Sequence, residues 1–329
     1  MLTVYGAGAV GLVVGARLAR AGAPLLLVAR RREAADLIDA QGIRIEDPAL
    51  GSHFVQRVAA VAGVEAAAGR IGAGPVLFCM RASDTEEAAR ALAAVAPRAT
   101  VASLQNDVDN EERLAARFAD VIGGCVRQTS TRTSDAGAVA VGAGRIVVGA
   151  WPSGESGAVD ELAQWLRRAG YDVGVSTRIA EDKWLKLAVN LMSAPNALIR
   201  REDHVTRAFV ELKARLLEEA RAVFDAAGIA ARSCDARDRS LDEEIAYQRE
   251  SLAAGTSART LPVYNQVWAA LRAGGDVEAD RYHRRLLEIA AVHGLRAPCN
   301  ARVLAALETA VRERLGPESL AADALLEGI

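Results

Sequence analysis

Lys183, Lys186 and Asn190 stand at i, i+3 and i+7 in the segment EDKWLKLAVN, residues 181–190. That spacing places all three on one face of a helix, among Trp184, Leu185, Leu187, Ala188 and Val189. Polar groups on such a helix must meet water, each other or a ligand, because burying them unpaired is costly. The chemistry on offer is proton transfer. An ammonium can give a proton to a carbonyl oxygen or stabilise an alkoxide as it forms, while a neighbouring carboxamide orients the reacting group. Lysine is otherwise almost unused, since 40 residues are Lys or Arg and only Lys183, Lys186 and Lys213 are not arginine. A plain surface cation in this chain is arginine, so a lysine marks a place where a compact charge with a tunable proton is of use. A solvated helix face is the alternative for Lys183 and Lys186. Lys213, in VELKARLLEEARAVF, sits in a charge-rich amphipathic pattern and reads as surface.

A second chemical signal opens the chain. LTVYGAGAVGLVVGARLARAG carries G-x-G-x-x-G at Gly6, Gly8 and Gly11, after a strand-like run and at the head of a helical one. In that setting the first glycine makes the tight turn, the second lets backbone approach a pyrophosphate and the third lets helix pack on strand. The intervening Ala7, Ala9 and Val10 complete the loop. A glycine-rich turn used only for packing is the alternative. The next strand, in LLLVARRRE, ends on Arg30, Arg31 and Arg32 where an NAD site usually has an acidic residue for the ribose hydroxyl. Guanidinium suits a phosphate, so NADP(H) is the expected cofactor. The alternative, arginines that decorate a helix start, fits Arg30 least, because cations oppose the dipole there.

The elements that position these groups follow from periodicity. Apolar runs at 2–5, 24–29, 75–80 and 100–104 alternate with helical stretches at 9–21, 33–41 and 84–96, which predicts βαβ units and a parallel sheet. Runs at 121–133, 137–142 and 145–150 lack long helices between them and predict an antiparallel or mixed part, closed by a helix near 155–169 and a strand at 171–175. Residues 64–75 read as a Gly/Ala-rich loop. Beyond residue 176 only helical patterns appear, at 179–194, 205–228, 236–253 and 276–293, with breaks at Pro195, Gly228, Pro262, Gly294 and Pro298. The expected architecture is therefore α/β plus all-α, a Rossmann-type dinucleotide-binding domain over 1–176 and a helical domain over 177–329 that binds substrate or dimerises.

Composition narrows the partners. A formal net charge of -2, without a long basic run, argues against nucleic acid. Arg17 and Arg20 interrupt the apolar start before it could span a bilayer, and no basic leader precedes it, so neither signal peptide nor membrane partner is expected. Cys79, Cys125, Cys234 and Cys299 lie far apart with no CxxC pair or histidine at ligand spacing, which predicts no metal site, no disulfide framework and a cytoplasmic setting. A homodimer is left open.

The chain resembles the ketopantoate reductase (2-dehydropantoate 2-reductase) family along most of its length. The resemblance is carried by GAGAVG at the start, VLFCMRASDTEEA (76–88), LQNDVDNEE (104–112), GRIVVG (144–149), KWLKLAVN (183–190) and GGDVEADRYHRRLLEIAAVHGLRAPCN (274–300). It implies a Rossmann domain plus a helical domain and NADPH-dependent reduction of a small 2-oxo acid. By the same resemblance Lys186 matches the general acid and Asn190 a substrate ligand, while Asn106 and Glu278 match residues beside nicotinamide and substrate. Without the resemblance Glu278 is an ordinary exposed carboxylate, whereas Asn106 has weight of its own, following a strand end where α/β sheets bind ligands. His283 and His293 read as structural or surface residues.

Five positions depart from the family pattern. Arg81 stands for lysine, Asp107 for the glycine of LQNG, and Ala194 for a second asparagine; in VYNQVWAAL (263–271) Asn265 and Gln266 occupy the place of two serines, Gln266 that of the one gripping substrate carboxylate. The cofactor residues and proton donor match while the substrate grip differs. Two readings therefore stand beside ketopantoate reduction: a related reductase of another oxo acid, and a non-catalytic NADP(H)-binding protein.

Overall fold

The computed structural model describes residues 1–48, 51–253, 265–275 and 277–328. The chain divides into two compact units, Met1–Lys183 and Trp184–Ile329. The first runs β1 (Leu2–Tyr5), α1 (Ala9–Arg20), β2 (Leu25–Ala29), α2 (Arg32–Gln41), β3 (Ile43–Asp47), β4 (Ser52–Gln56), β5 (Ala59–Ala62), β6 (Val76–Phe78), α3 (Thr85–Val95), β7 (Val101–Ser103), α4 (Asn110–Ala115) and β8 (Val121–Arg127). It continues through β9 (Ser130–Ser134), β10 (Gly137–Ala140), β11 (Arg145–Ala150), α5 (Gly157–Arg168), β12 (Asp172–Val175) and the first turn of α6 (Ile179–Asn190). The rest of α6 opens the second unit, with α7 (Ser193–Leu198), α8 (Arg207–Ala227), α9 (Leu241–Ala253), α10 (Gln266–Ala273), α11 (Ala279–Val292) and α12 (Pro298–Glu313).

Eight strands form one sheet in the order β12-β11-β8-β7-β6-β1-β2-β5. Its neighbours are parallel except the antiparallel pair β8 and β11. The central strands are buried on both faces: Leu25 and Leu27 join the core on one side, Leu26 and Val28 that on the other. This double burial explains why β2 reads as an unbroken apolar run. The fold is the Rossmann type that the βαβ pattern predicts, followed by an all-helical unit.

A separate four-stranded sheet, β4-β3-β10-β9, has no counterpart in the expected layout. The run expected over 121–133 breaks into β8 and β9, which enter different sheets. Helix α1 packs against strands of both sheets, so Gly11 through Ala16 are all buried. Arg17 in its last turn donates to the carbonyl of Gly142 at 2.9 Å and lies 3.6 Å from Asp47, tying the helix to the smaller sheet.

In the helical unit, the stretch expected as one helix over 179–194 ends at Asn190, and Pro195 sits in the first turn of α7, where a missing N–H costs nothing. Thr206 caps α8, its Oγ1 accepting from the Phe209 amide at 3.3 Å, and Gly228 ends that helix at φ +65°. The Glu219 carboxylate caps α12, accepting from the Cys299 and Asn300 amides at 2.8 and 2.9 Å. Lys213 does not lie out in solvent as its charged surroundings predict. It is half-buried, its Nζ 4.8 Å from the Phe209 ring centroid, and burial pulls its pKa down to about 8. The break expected at Pro262, with Val263, Tyr264 and Asp276 of the family segments, lies outside the described residues. Among the described residues no helix is long and apolar enough to cross a membrane and no cluster could hold a metal.

Candidate active site

At the end of β1, Gly6 adopts φ +113°, and a Cβ there would meet the Met80 nitrogen at 2.7 Å. A Cβ on Gly11 would lie 1.9 Å from the Gly6 oxygen, so only glycine lets α1 start this close to the turn. Gly8 is the N-cap of α1, with no side-chain cap and no acidic residue in the first turn. The first amides of α1 are thus left for an outside acceptor, at the positive end of the helix dipole. Gly6, Ala7 and Gly8 line a cleft of about 630 Å³, together with Arg30 and Arg81. Ala9, Val10 and Gly11 form the first turn of α1 behind it. A bare backbone cradle at a helix N-terminus is what a dinucleotide pyrophosphate requires, so these residues fit the cofactor.

Arg30 directly follows β2 and is exposed; its Nη1 is 4.0 Å from Asp84 Oδ2, and Arg81 Nε is 3.9 Å from the same oxygen. Arg31 also lines the cleft and pairs with Asp135, which Arg132 holds as well. The hydrogen bond from Arg31 and the nearby Arg132 charge hold the Asp135 carboxyl below its usual range. Arg32 instead pairs with Asp36 one turn along α2, at 3.5 Å. Arg132, on the cleft wall, carries no motif in the sequence, because it arrives on β9 of the smaller sheet. Glu65 and Glu87 line the cleft too, and burial followed by these two charges pushes the Tyr5 phenol up to about 12.

Asn106 is half-buried beyond the carboxyl end of β7. Its carbonyl accepts from Asn110 Nδ2 at 2.6 Å. Gln105 beside it donates through Nε2 to the Met80 carbonyl at 3.0 Å and to Thr85 Oγ1 at 2.8 Å, and Thr85 Oγ1 donates to Asn110 Oδ1 at 2.8 Å. Asp107 has φ +81°, the left-handed region that the glycine of LQNG would occupy at no cost. Its Oδ1 accepts from the Val108 amide at 2.8 Å, the local bond that lets Asp sit there. Lys183 is not on a solvated face: its Nζ pairs with Glu111 and donates to the Gln105 carbonyl at 3.4 Å, with side-chain exposures of 3% and 0% for the two partners. Burial pushes the Glu111 carboxyl up, against the pull of the Lys183 charge and hydrogen bonds from Lys183 and Ser103.

In the helical unit, Lys186 is 8% exposed, so a solvated face does not describe it either. Asn190 is the last residue of α6, and its carbonyl accepts from Ser193 Oγ at 2.5 Å. Ser193 in turn accepts at its carbonyl from Asn265 Nδ2 at 2.7 Å. Asn190 and the start of α10 are thereby joined through one residue. Asn265 Oδ1 caps α10, accepting from the Trp268 amide at 2.9 Å, and Gln266 follows as its exposed first residue. Glu278 is the half-buried residue that precedes α11. Ala194 is fully buried. His283 is buried with Nδ1 2.8 Å from Asn300 Oδ1, a structural role, while His293 is exposed at the end of α11.

Residues 2–153 match the family model described as ketopantoate reductase PanE/ApbA. A 2-dehydropantoate 2-reductase of Archaeoglobus fulgidus is 32% identical over 222 residues, 68% of this chain and 70% of that one. The chain belongs to the ketopantoate reductase family. It is an NAD(P)H-dependent oxidoreductase acting on CH–OH groups. A Halobacterium salinarum 2-dehydropantoate 2-reductase is 27% identical over 301 residues, 90% of this chain and 94% of that one. Among solved structures, a PanE/ApbA family ketopantoate reductase from Ralstonia eutropha is 23% identical, with TM-score 0.76 over 95% of this chain and 99% of that one. D-mandelate dehydrogenase in ternary complex with NADH and anilino(oxo)acetate is 16% identical, with TM-score 0.78 over 96% of this chain and all of that one (100%). At these identities the two solved structures speak for the fold.

Proposed function

We propose that the protein reduces a 2-oxo acid to the 2-hydroxy acid with NADPH, with ketopantoate to pantoate, a step of pantothenate biosynthesis, as its reaction. The observation that carries the reading is the cleft: a glycine cradle at the head of α1, with Arg30 directly beyond β2 where an NAD site has a carboxylate. The backbone of Gly6 through Gly11 takes the pyrophosphate, and Arg30 and Arg81 take phosphate charge. NADPH held there would supply the hydride for the keto carbon. Lys186 gives a proton from Nζ to the keto oxygen and is recharged from water, and Asn190, on the same helix face, orients that oxygen through its carboxamide. Asn106 and Glu278 hold substrate and the nicotinamide side of the site, with Gln266 at the substrate carboxylate. The four cysteines, all free, fit a cytoplasmic setting.

One observation favours a second reading, a different oxo acid. Asn265 spends its oxygen and one N–H within the fold, and Ala194 has no polar side-chain atom, so this chain offers a carboxylate fewer side-chain partners than the serine and asparagine of the family pattern. Loss of such a partner changes substrate preference by up to about 10⁴-fold. The test is NADPH oxidation by the purified protein with ketopantoate, with NADH alongside and phenylglyoxylate, the oxo acid of mandelate, in the panel. NADPH-preferring turnover of ketopantoate is expected, with Lys186→Ala losing about 10²–10⁴-fold in kcat and Arg30→Glu losing the preference for NADPH. Near-normal turnover by Lys186→Ala removes the proton-donor assignment, and faster phenylglyoxylate reduction replaces the substrate.

A further inference from the structure

We propose that the buried Lys183–Glu111 ion pair is a positioning device that fixes Asn106 and the cleft wall beside it, without either side chain touching a ligand. The inference rests on the role proposed above for Asn106. Lys183 lies in the first turns of α6, Glu111 in the first turn of α4, and the loop carrying Asn106 runs between β7 and α4. That loop is held from inside at successive carbonyls, with Lys183 Nζ donating to that of Gln105 and Asn110 Nδ2 to that of Asn106. The side chain of the first of these residues, Gln105, reaches the other way. Its Nε2 donates to the carbonyls of Met80 at 3.0 Å and Arg81 at 3.3 Å, and both residues line the dinucleotide cleft. One buried network thus joins the loop beyond β6, which walls the cleft, to the loop beyond β7, which carries Asn106.

Stability does not explain a charge pair here. Two ions taken out of water recover through mutual attraction about what they lose, and a well-packed apolar pair of similar volume often does as well or better. What the apolar pair lacks is direction. Nζ has three donors, two of which are accounted for by Glu111 and the Gln105 carbonyl, so the ammonium fixes the distance from α6 to both α4 and the loop. A lysine fits this task because its point charge serves several acceptors at once, where the flat guanidinium fork is built for one carboxylate.

The test separates placement from folding. Lys183→Met combined with Glu111→Leu removes both charges and keeps the volume. The expected result is a melting temperature near that of the parent, at least tenfold faster hydrogen exchange of peptides covering residues 104–111 in the ligand-free protein, and a kcat with NADPH and ketopantoate reduced by about 10²-fold, the scale of a displacement near 1 Å. Glu111→Asp, which keeps the charge pair and withdraws the carboxylate by one methylene, should show a smaller loss of the same kind. It decides the matter if the double variant does not fold. Parent-like exchange and kcat in a folded variant overturn the proposal. Asn106→Ala, measured in parallel, keeps the two readings apart. If it turns over like the parent, the role of Asn106 fails while the exchange result still judges the network; if it is impaired and the pair variants are not, the network only holds the fold.

Discussion

Two glycines of the cradle, three residues apart, should fail in opposite ways when given a methyl group. Gly8 has φ -79° and ψ -178°, a conformation open to alanine, and the nearest heavy atom to its added Cβ is the Cys79 oxygen at an ordinary 3.5 Å. Gly8→Ala should therefore fold, with a gain of about 0.4–1 kcal/mol from the stiffer unfolded chain. Gly8 lines the cleft, and on the function proposed above a methyl there should cost the pyrophosphate its closest backbone approach. Losing one hydrogen bond to a charged group costs about 1.5–3 kcal/mol, so the Kd for NADPH should rise roughly 10- to 150-fold. Gly11→Ala is the reverse: its Cβ would sit 1.9 Å from the Gly6 oxygen and 3.1 Å from the Cys79 Cβ, so backbone must move. Overpacking of that kind costs about 1–3 kcal/mol or more, a fall of roughly 2–12 °C in Tm for a unit of this size. Differential scanning calorimetry and titration of NADPH fluorescence read the two effects separately. A folded Gly8→Ala variant that binds NADPH with parental affinity would refute the assignment of the cleft to the pyrophosphate. A Gly11→Ala variant with parental Tm would refute the close approach of α1 to the turn.

Two further outcomes follow from single residues. Burial, only partly offset by the bond to Asn300, lowers the His283 pKa from 6.5 to about 4. Its unfolded form takes a proton below about pH 6.5 while the folded form stays neutral, so stability falls on acidification between pH 6.5 and 4, by about 3 kcal/mol in all. Urea unfolding of the parent and of His283→Gln at pH 7, 6, 5 and 4 checks this, and an equal acid slope in the two proteins counts against it. Asp107, at φ +81°, should accept glycine with little change in Tm but lose about 1–2 kcal/mol as alanine, because a β-carbon without a local acceptor has no compensation in the left-handed region.

The Rossmann-type fold of the first unit is legible in the sequence because each requirement there is local. The turn between β1 and α1 needs glycine at fixed offsets, and strands buried on both faces need continuous apolar runs, as in LLLVA. The smaller sheet is less legible: β3 alternates buried Ile43, Ile45 and Asp47 with exposed Arg44 and Glu46, a period-2 signal only five residues long, and of its two pairing partners, β4 and β10, the second lies far along the chain. Arg132 enters the cleft through that sheet, so no local motif announces it. Lys183 and Glu111 are separated by 72 positions; a charged residue is buried only where its partner is, and a single sequence does not display that partner.

The three lysines show how far composition can carry an argument. All three are constrained in the structure, though the charge-rich pattern around Lys213 reads as surface: Lys183 and Lys186 are 3% and 8% exposed, and Lys213 is half-buried against the ring of Phe209 four residues before it. That i,i+4 placement of cation and ring was readable, and it outweighs the surrounding charge count. Constraint is not catalysis, however. Lys183 is committed to Glu111 and the Gln105 carbonyl, and Lys213 to an aromatic face. In the function proposed above the proton comes from Lys186, one turn before Asn190 on α6, and the kcat of Lys186→Ala against Lys213→Ala decides whether the rarest cation in the chain does three jobs or one.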